Sequence, residues 1–198
     1  MTNDVAPLID PFGRTVSYLR ISLTDRCDLR CVYCMNEEMT FLPKSELLTF
    51  EEIERIASAF VSMGTKKIRL TGGEPLVRKG VMELIEALGK LALDELTLTT
   101  NGTQLERYSG ALYDAGIRRI NVSLDTLDER EVTLITRGGS LSQVLRGLAA
   151  AKEAGLKVKI NTVAMQSLSR SAFDAMLAWC ASEHFDQTFI EVMPMGDI

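Results

Sequence analysis

Apolar and polar residues alternate with a period of two along several short runs of this chain, and with a period near 3.6 along the longer segments between them. The short runs are VSYLRISL from Val16, KKIRLT from Lys66, ELTLTT from Glu95, RINVSL from Arg119, KVKINTVA from Lys157 and TFIEVM from Thr188. Between them, EEIERIASAFVSM, VMELIEALGKLAL, QLERYSGALYDA, SLSQVLRGLAAAKEA and AFDAMLAWCASE place apolar residues at helical spacing. Strand followed by helix along the whole chain predicts parallel strands joined by crossover helices. Gly64, Gly116 and Gly155 each follow a helical run and precede a strand, where a residue at ease in the left-handed region ends a helix.

The strands are unusual for a parallel sheet, whose strands normally read as continuous apolar runs because helices cover both faces. Here Leu19, Ile21 and Leu23 alternate with Tyr18, Arg20 and Ser22, and Ile68 and Leu70 alternate with Lys67, Arg69 and Thr71. The same division recurs at Leu96 and Leu98 against Thr97 and Thr99, at Ile120 and Val122 against Asn121 and Ser123, and at Val158 and Ile160 against Lys159 and Asn161. In the last run it sets Glu191 against Ile190 and Val192. One reading is a sheet with one face in water. The βα alternation favours another, in which helices cover the apolar face and the polar face curves around a hydrophilic ligand, as in an incomplete barrel. Arg20, Lys67, Arg69 and Lys159 would give that lumen a cationic lining suited to phosphate or carboxylate, unless Glu74, Asp125 or Glu191 pairs with them.

The composition narrows the class. A chain of 198 residues with 46% hydrophobic and 25% charged residues is ordinary globular material for one domain. Its formal charge of −5 argues against non-specific nucleic-acid binding, which relies on Lys and Arg. MTNDVAPLIDPFG lacks the basic start and apolar run of a signal peptide, and no apolar segment is long enough to cross a bilayer. A cytoplasmic protein without membrane association is expected, and in that reducing compartment clustered cysteines are metal or redox ligands more often than disulfides.

Such a cluster is present. Cys27, Cys31 and Cys34 lie within CDLRCVYC, directly after the first strand, so they occupy the rim of the barrel where such folds place their chemistry. Zinc would require a fourth ligand, for which Cys180 and the sole histidine, His184, are the candidates. Cys180 lies in the apolar run AMLAWCA, where a core role competes, and His184 can simply end a helix. A four-iron cluster held by three cysteines fits better, because it leaves one iron open to a cofactor or substrate. GGEP, Gly72 to Pro75, follows the second strand and so reaches the same rim, with glycines that admit a close approach and a Glu74 able to accept from an ammonium group. As a plain βα turn it would need no ligand.

CxxxCxxC with Tyr33 before its last cysteine, together with GGEP, resembles the radical S-adenosylmethionine (SAM) superfamily. TDRCDLRCVYCM, FLPKSELLTFEEI, IRLTGGEPLVR, LTTNGT and LYDAGIRRINVSLDTLD further resemble the GTP 3′,8-cyclases, the molybdenum cofactor biosynthesis protein A family, from about Gly13 to Gly196. The resemblance implies an incomplete (β/α)6 TIM-like barrel that binds a [4Fe-4S] cluster on Cys27, Cys31 and Cys34. It implies SAM contacts at Tyr33, Gly73, Ser123 and Met193, with Gly72 and Glu74 in the same GGEP motif, and GTP contacts at Arg20, Arg69, Thr99 and Lys159, with Lys67 on the same face. Ser123 and Met193 also have plain packing roles open to them, and Asn101 and Gly102 read as turn chemistry.

The implied reaction converts GTP to 3′,8-cyclo-7,8-dihydro-GTP, with an electron donor upstream and a molybdopterin-pathway enzyme downstream. The family's C-terminal region, which holds a second [4Fe-4S] cluster, is absent from residues 1–198, so the core alone is expected to lack full turnover. A radical SAM enzyme with another anionic substrate and a non-catalytic metal-bound module remain the alternative readings.

Overall fold

In the computed structural model, which describes residues 7–193, six parallel strands form one sheet in chain order. They are β1 Tyr18–Ser22, β2 Lys67–Thr71, β3 Glu95–Thr100, β4 Arg119–Ser123, β5 Lys157–Val163 and β6 Asp186–Ile190. The helices are α1 Phe50–Ser62, α2 Val81–Gly89, α3 Leu105–Asp114, α4 Glu129–Thr136, α5 Leu141–Glu153 and α6 Arg170–Glu183. Among the described residues β1 and β6 do not pair, so the structure is the expected incomplete (β/α)6 TIM-like barrel, open between its first and last strands.

Local sequence explains the helix limits. Thr49 opens α1 by accepting from the Glu52 N–H while the Glu52 side chain accepts from the Thr49 N–H, so two orphan donors are satisfied at once. Gly64, Gly116 and Gly155 all have positive φ, which turns the chain from helix toward strand as the sequence predicts. α4 is the helix that periodicity does not reveal. It is only eight residues long, buries Val132 and Ile135, and leaves Leu134 73% exposed, so its apolar stripe is two residues wide. Asp128 caps it by accepting from the N–H groups of Arg130 and Glu131.

The two faces of the sheet divide as the alternation requires. Ile68, Leu70, Leu98, Ile120, Val122 and Ile160 are fully buried on the outer face, packed in one core with Ile53, Leu84, Leu88, Leu112, Leu148 and Met176 from the helices. Parallel register sets Arg20 beside Arg69, Arg69 beside Thr97, and Asn121 beside Lys159 on the opposite face, lining the lumen.

β6 departs from the expectation. It begins two residues before Thr188 and ends at Ile190, and its register sets Asp186 beside Lys159 and Ile190 beside Val163. Ile190 therefore shares the lumen face, and Glu191 lies past the strand with the assigned alternation reversed. The early start follows from the end of α6. His184 adopts φ +60° and the Phe185 N–H bonds back to the Cys180 carbonyl, so the chain leaves the helix abruptly and enters the sheet at Asp186.

The inside–outside division yields a paired test by chemical denaturation. Ile68→Ala should cost about 2–5 kcal/mol by opening a core cavity, whereas Arg69→Ala should leave stability nearly unchanged. Unfolding by the second and tolerance of the first would reverse the two faces.

Candidate functional site

The segment from Leu23 to Arg26 runs from β1 into the cysteine loop, and the loop after β2 is hydrogen-bonded along it. The Gly73 N–H donates to the Thr24 carbonyl at 2.6 Å and the Glu74 N–H to the Arg26 carbonyl at 2.8 Å. This contact requires glycine. A Cβ on Gly73 would stand 2.3 Å from the Arg26 carbonyl oxygen and 2.7 Å from that of Asp25, and one on Gly72 would stand 2.6 Å from that of Thr24.

From its other side the cysteine loop is held by α4. The Arg30 and Val32 N–H groups donate to the carbonyls of Thr136 and Ile135 at 3.0 and 2.9 Å. Arg137, in the left-handed region at φ +53°, extends its guanidinium to the carbonyls of Arg30 and Met35. Val32 and Tyr33 pack against a small apolar cluster of Ile135, Met165 and Leu168. The Tyr33 hydroxyl donates to Asp125 at 2.8 Å, and the other Asp125 oxygen accepts from the Val163 N–H.

All three loop cysteines are free thiols. Burial pushes the Cys27 thiol up to about 11 and the Cys31 thiol to about 12, and raises Cys34 as well. Bound cationic iron would reverse this, since a coordinating thiol is deprotonated. The Leu29 N–H at 3.4 Å and the Asn101 side-chain N–H at 3.7 Å already point at the Cys27 sulfur, as a thiolate ligand requires. Among the described residues no three ligand groups gather closely enough for a single metal ion. Three cysteines of one loop would suit a cluster in which each sulfur takes a different iron. Cys180 is 2% exposed in the core beside Met176, and His184 caps α6, so these two serve packing and helix termination.

Glu74 is 1% exposed and accepts from the Leu76 N–H, the Thr100 hydroxyl and the Asn101 N–H. Three donors occupy its two oxygens, and burial raises its carboxyl to about 7 in spite of them. It therefore fastens the GGEP loop to the end of β3 and keeps one acceptor direction on Oε2. Ser123, at the end of β4, lines a cavity with Cys31, Tyr33, Asn101 and Asp125. Met193 lies past β6 and is 59% exposed.

The lumen cations divide into two groups. Lys67 and Arg119 pair with Glu95 at the bottom of the barrel, a partner that local sequence does not indicate. Burial raises the Glu95 carboxyl, but hydrogen bonds from these two cations outweigh it and hold the group below the usual range. Arg20, Arg69 and Lys159 make no ion pair among the described residues. The Arg69 guanidinium lies over the Tyr18 ring at 5.8 Å, and its Nε is buried without a partner. Asn121, 3% exposed, leaves its Oδ1 equally unpaired beside Lys159 and Thr99 in register. Orphaned buried polar atoms normally mark a missing partner, so Asn121 joins the candidate lining.

Residues 21–180 match the radical SAM superfamily. The chain is 58% identical over 196 residues to the GTP 3′,8-cyclase of Paracoccus denitrificans, covering 98% of this chain and 57% of that protein. It is 57% identical to the GTP 3′,8-cyclase of Bradyrhizobium diazoefficiens over 195 residues, covering 96% of this chain and again 57% of the relative. The chain thus spans rather more than half the length of these curated relatives. Among solved structures, Streptococcus suis SuiB bound to precursor peptide SuiA superposes with a TM-score of 0.76 at 20% identity, covering 89% of this chain and 39% of that one. Methylornithine synthase (PylB) gives 0.71 at 18% identity, with 93% and 56% covered. At such identities the likeness shows the fold.

The glycine contact is testable by denaturant midpoint. Gly73→Ala should destabilise by about 1–3 kcal/mol, because the added methyl meets backbone. Gly110→Ala, in α3 with no atom within 4 Å of where the new methyl would stand, should stabilise by about 0.5–1 kcal/mol.

Proposed function

This chain belongs to the radical SAM superfamily, and we propose that it is the radical-generating core of a GTP 3′,8-cyclase acting in molybdenum cofactor biosynthesis. Cys27, Cys31 and Cys34 would hold a [4Fe-4S] cluster. When bound, the reduced cluster supplies the electron that cleaves SAM to methionine and a 5′-deoxyadenosyl radical, the chemistry the superfamily is named for. The chain's own residues position and enclose. Gly73 allows the GGEP loop to lie against the cysteine loop, so that SAM can meet exposed backbone at the same rim. Tyr33, held by Asp125, and Ser123 border the adjoining cavity, and Met193 would complete the SAM contacts.

The observation that carries the substrate assignment is the unpaired cationic lumen. Arg69 Nε and Asn121 Oδ1 are buried and without partners, and Arg20 and Lys159 share their face. A triphosphate would satisfy Arg20, Arg69 and Lys159 by charge-assisted hydrogen bonds, with Thr99 beside them. Lys67, engaged by Glu95, would shape the floor and contribute charge at longer range. GTP is favoured over other anions by the identity to proteins named for it. A second cluster, an electron donor and a downstream molybdopterin-pathway enzyme belong to this reading of the complete protein.

Anaerobic reconstitution should load about four irons on the triad, with Cys31→Ala abolishing them and Cys180→Ala retaining them. SAM and a strong reductant should then release 5′-deoxyadenosine. In the complete protein Arg69→Ala or Lys159→Ala should weaken GTP binding by roughly 1.5–3 kcal/mol while the iron content is kept. Preferential retention of zinc, or GTP affinity indifferent to both lumen substitutions, would overturn the assignment.

A further inference from the structure

Asn101, in the loop after β3, makes contacts that a turn alone does not require. Its Oδ1 accepts from the Thr103 N–H at 3.0 Å, which completes a local side-chain turn. Its Nδ2 donates to Asp28 Oδ1 at 2.7 Å and reaches the Cys27 sulfur at 3.7 Å. Its main-chain N–H donates to Glu74 at 2.6 Å. The amide has one workable orientation. Turned over, it would set oxygen against the Asp28 carboxylate and leave the Thr103 N–H without its acceptor. The Thr103 hydroxyl stands 2.6 Å from the other Asp28 oxygen and steadies the arrangement.

The Cys27 sulfur thus meets two opposed influences at one place. Asp28 Oδ1 lies 3.8 Å from it, and a carboxylate beside a cluster ligand disfavours the extra electron. An N–H directed at the sulfur favours that electron, since hydrogen bonds to cluster sulfurs and nearby charge both set the potential. We propose that Asn101 is a positioning residue that tunes the reduction potential of the iron–sulfur centre, by holding its side-chain N–H between Asp28 and the Cys27 sulfur. The inference rests on the cluster reading above. The other N–H at Cys27 is the backbone of Leu29, which no side-chain change removes, so Asn101 is the adjustable donor.

The test is a stepwise titration of the reconstituted, complete protein with a low-potential reductant, followed by electron paramagnetic resonance, using the signal that Cys31→Ala abolishes. Asn101→Ser keeps a side-chain oxygen for the Thr103 N–H but is too short to reach Cys27. It should lower the midpoint so that reduction is about tenfold less favourable, which is about 59 mV for one electron. Asp28→Asn removes the charge and should raise the midpoint. Shifts of opposite sign at comparable iron content are what a purely structural role would not produce. A midpoint that Asn101→Ser leaves unchanged or raises, or two midpoints moving the same way, overturns the inference. Should Asn101→Ser hold no cluster, Asp28→Asn alone decides, and a midpoint unchanged or lowered by it overturns the inference equally. Absence of any Cys31-dependent iron signal in the unsubstituted protein overturns the cluster reading, and this inference with it.

Discussion

Helices seal one face of the sheet, and that constraint organises everything else in the molecule. With Ile68, Leu98, Ile120 and Ile160 buried beneath α-helical side chains, every intervening residue must point into the lumen, because side chains alternate across a strand. A parallel sheet filled with aliphatic layers would be a closed core. Here the lumen holds the exposed Arg20, the half-buried Arg69 and Lys159 and the buried Asn121, and an amide buried without a partner is costly. The fold is therefore stable around an interior that favours an anionic, hydrogen-bonding occupant.

The rim obeys a second logic. The cysteine loop has little regular structure of its own and is positioned by three separate neighbours. The GGEP loop bonds to its approach, Asn101 and Thr103 grip Asp28, and the end of α4 holds Arg30 and Val32. Glu74 links the first two by accepting from Asn101 while its own N–H bonds to Arg26. Loops can be precise when each backbone group has a fixed partner on a rigid element.

Legibility in the sequence followed the range of the physics. Period-two alternation is a local signal, and it placed the lumen residues of β1 to β5 correctly. It fails at β6, where the register sets Asp186 and Ile190 beside the lumen residues Lys159 and Val163, a parity opposite to that of Glu191. α4 is not legible because a helix burying two side chains carries almost no periodic signal. The triad and GGEP were visible as spacing, but Glu95 as the partner of Lys67 was not, nor was Asn101 as more than a turn residue. Asp28 lies 73 positions from Asn101, and nothing local encodes that contact. Alternation sets Asn121 toward the lumen, yet only the missing partner of its Oδ1 marks it as a candidate contact.

The hold of α4 on the cysteine loop has a consequence for how the protein is made. Arg30 bonds to Thr136, so the thiols emerge from the ribosome well before the helix that orders their loop. At ordinary elongation rates a separation of this size takes about 5–20 s. During that interval the thiols of Cys27, Cys31 and Cys34 lack the partners that order their loop and are open to oxidation. The loop finds its partners only once the fourth βα unit is complete, and protection of nascent thiols becomes part of what this fold depends on.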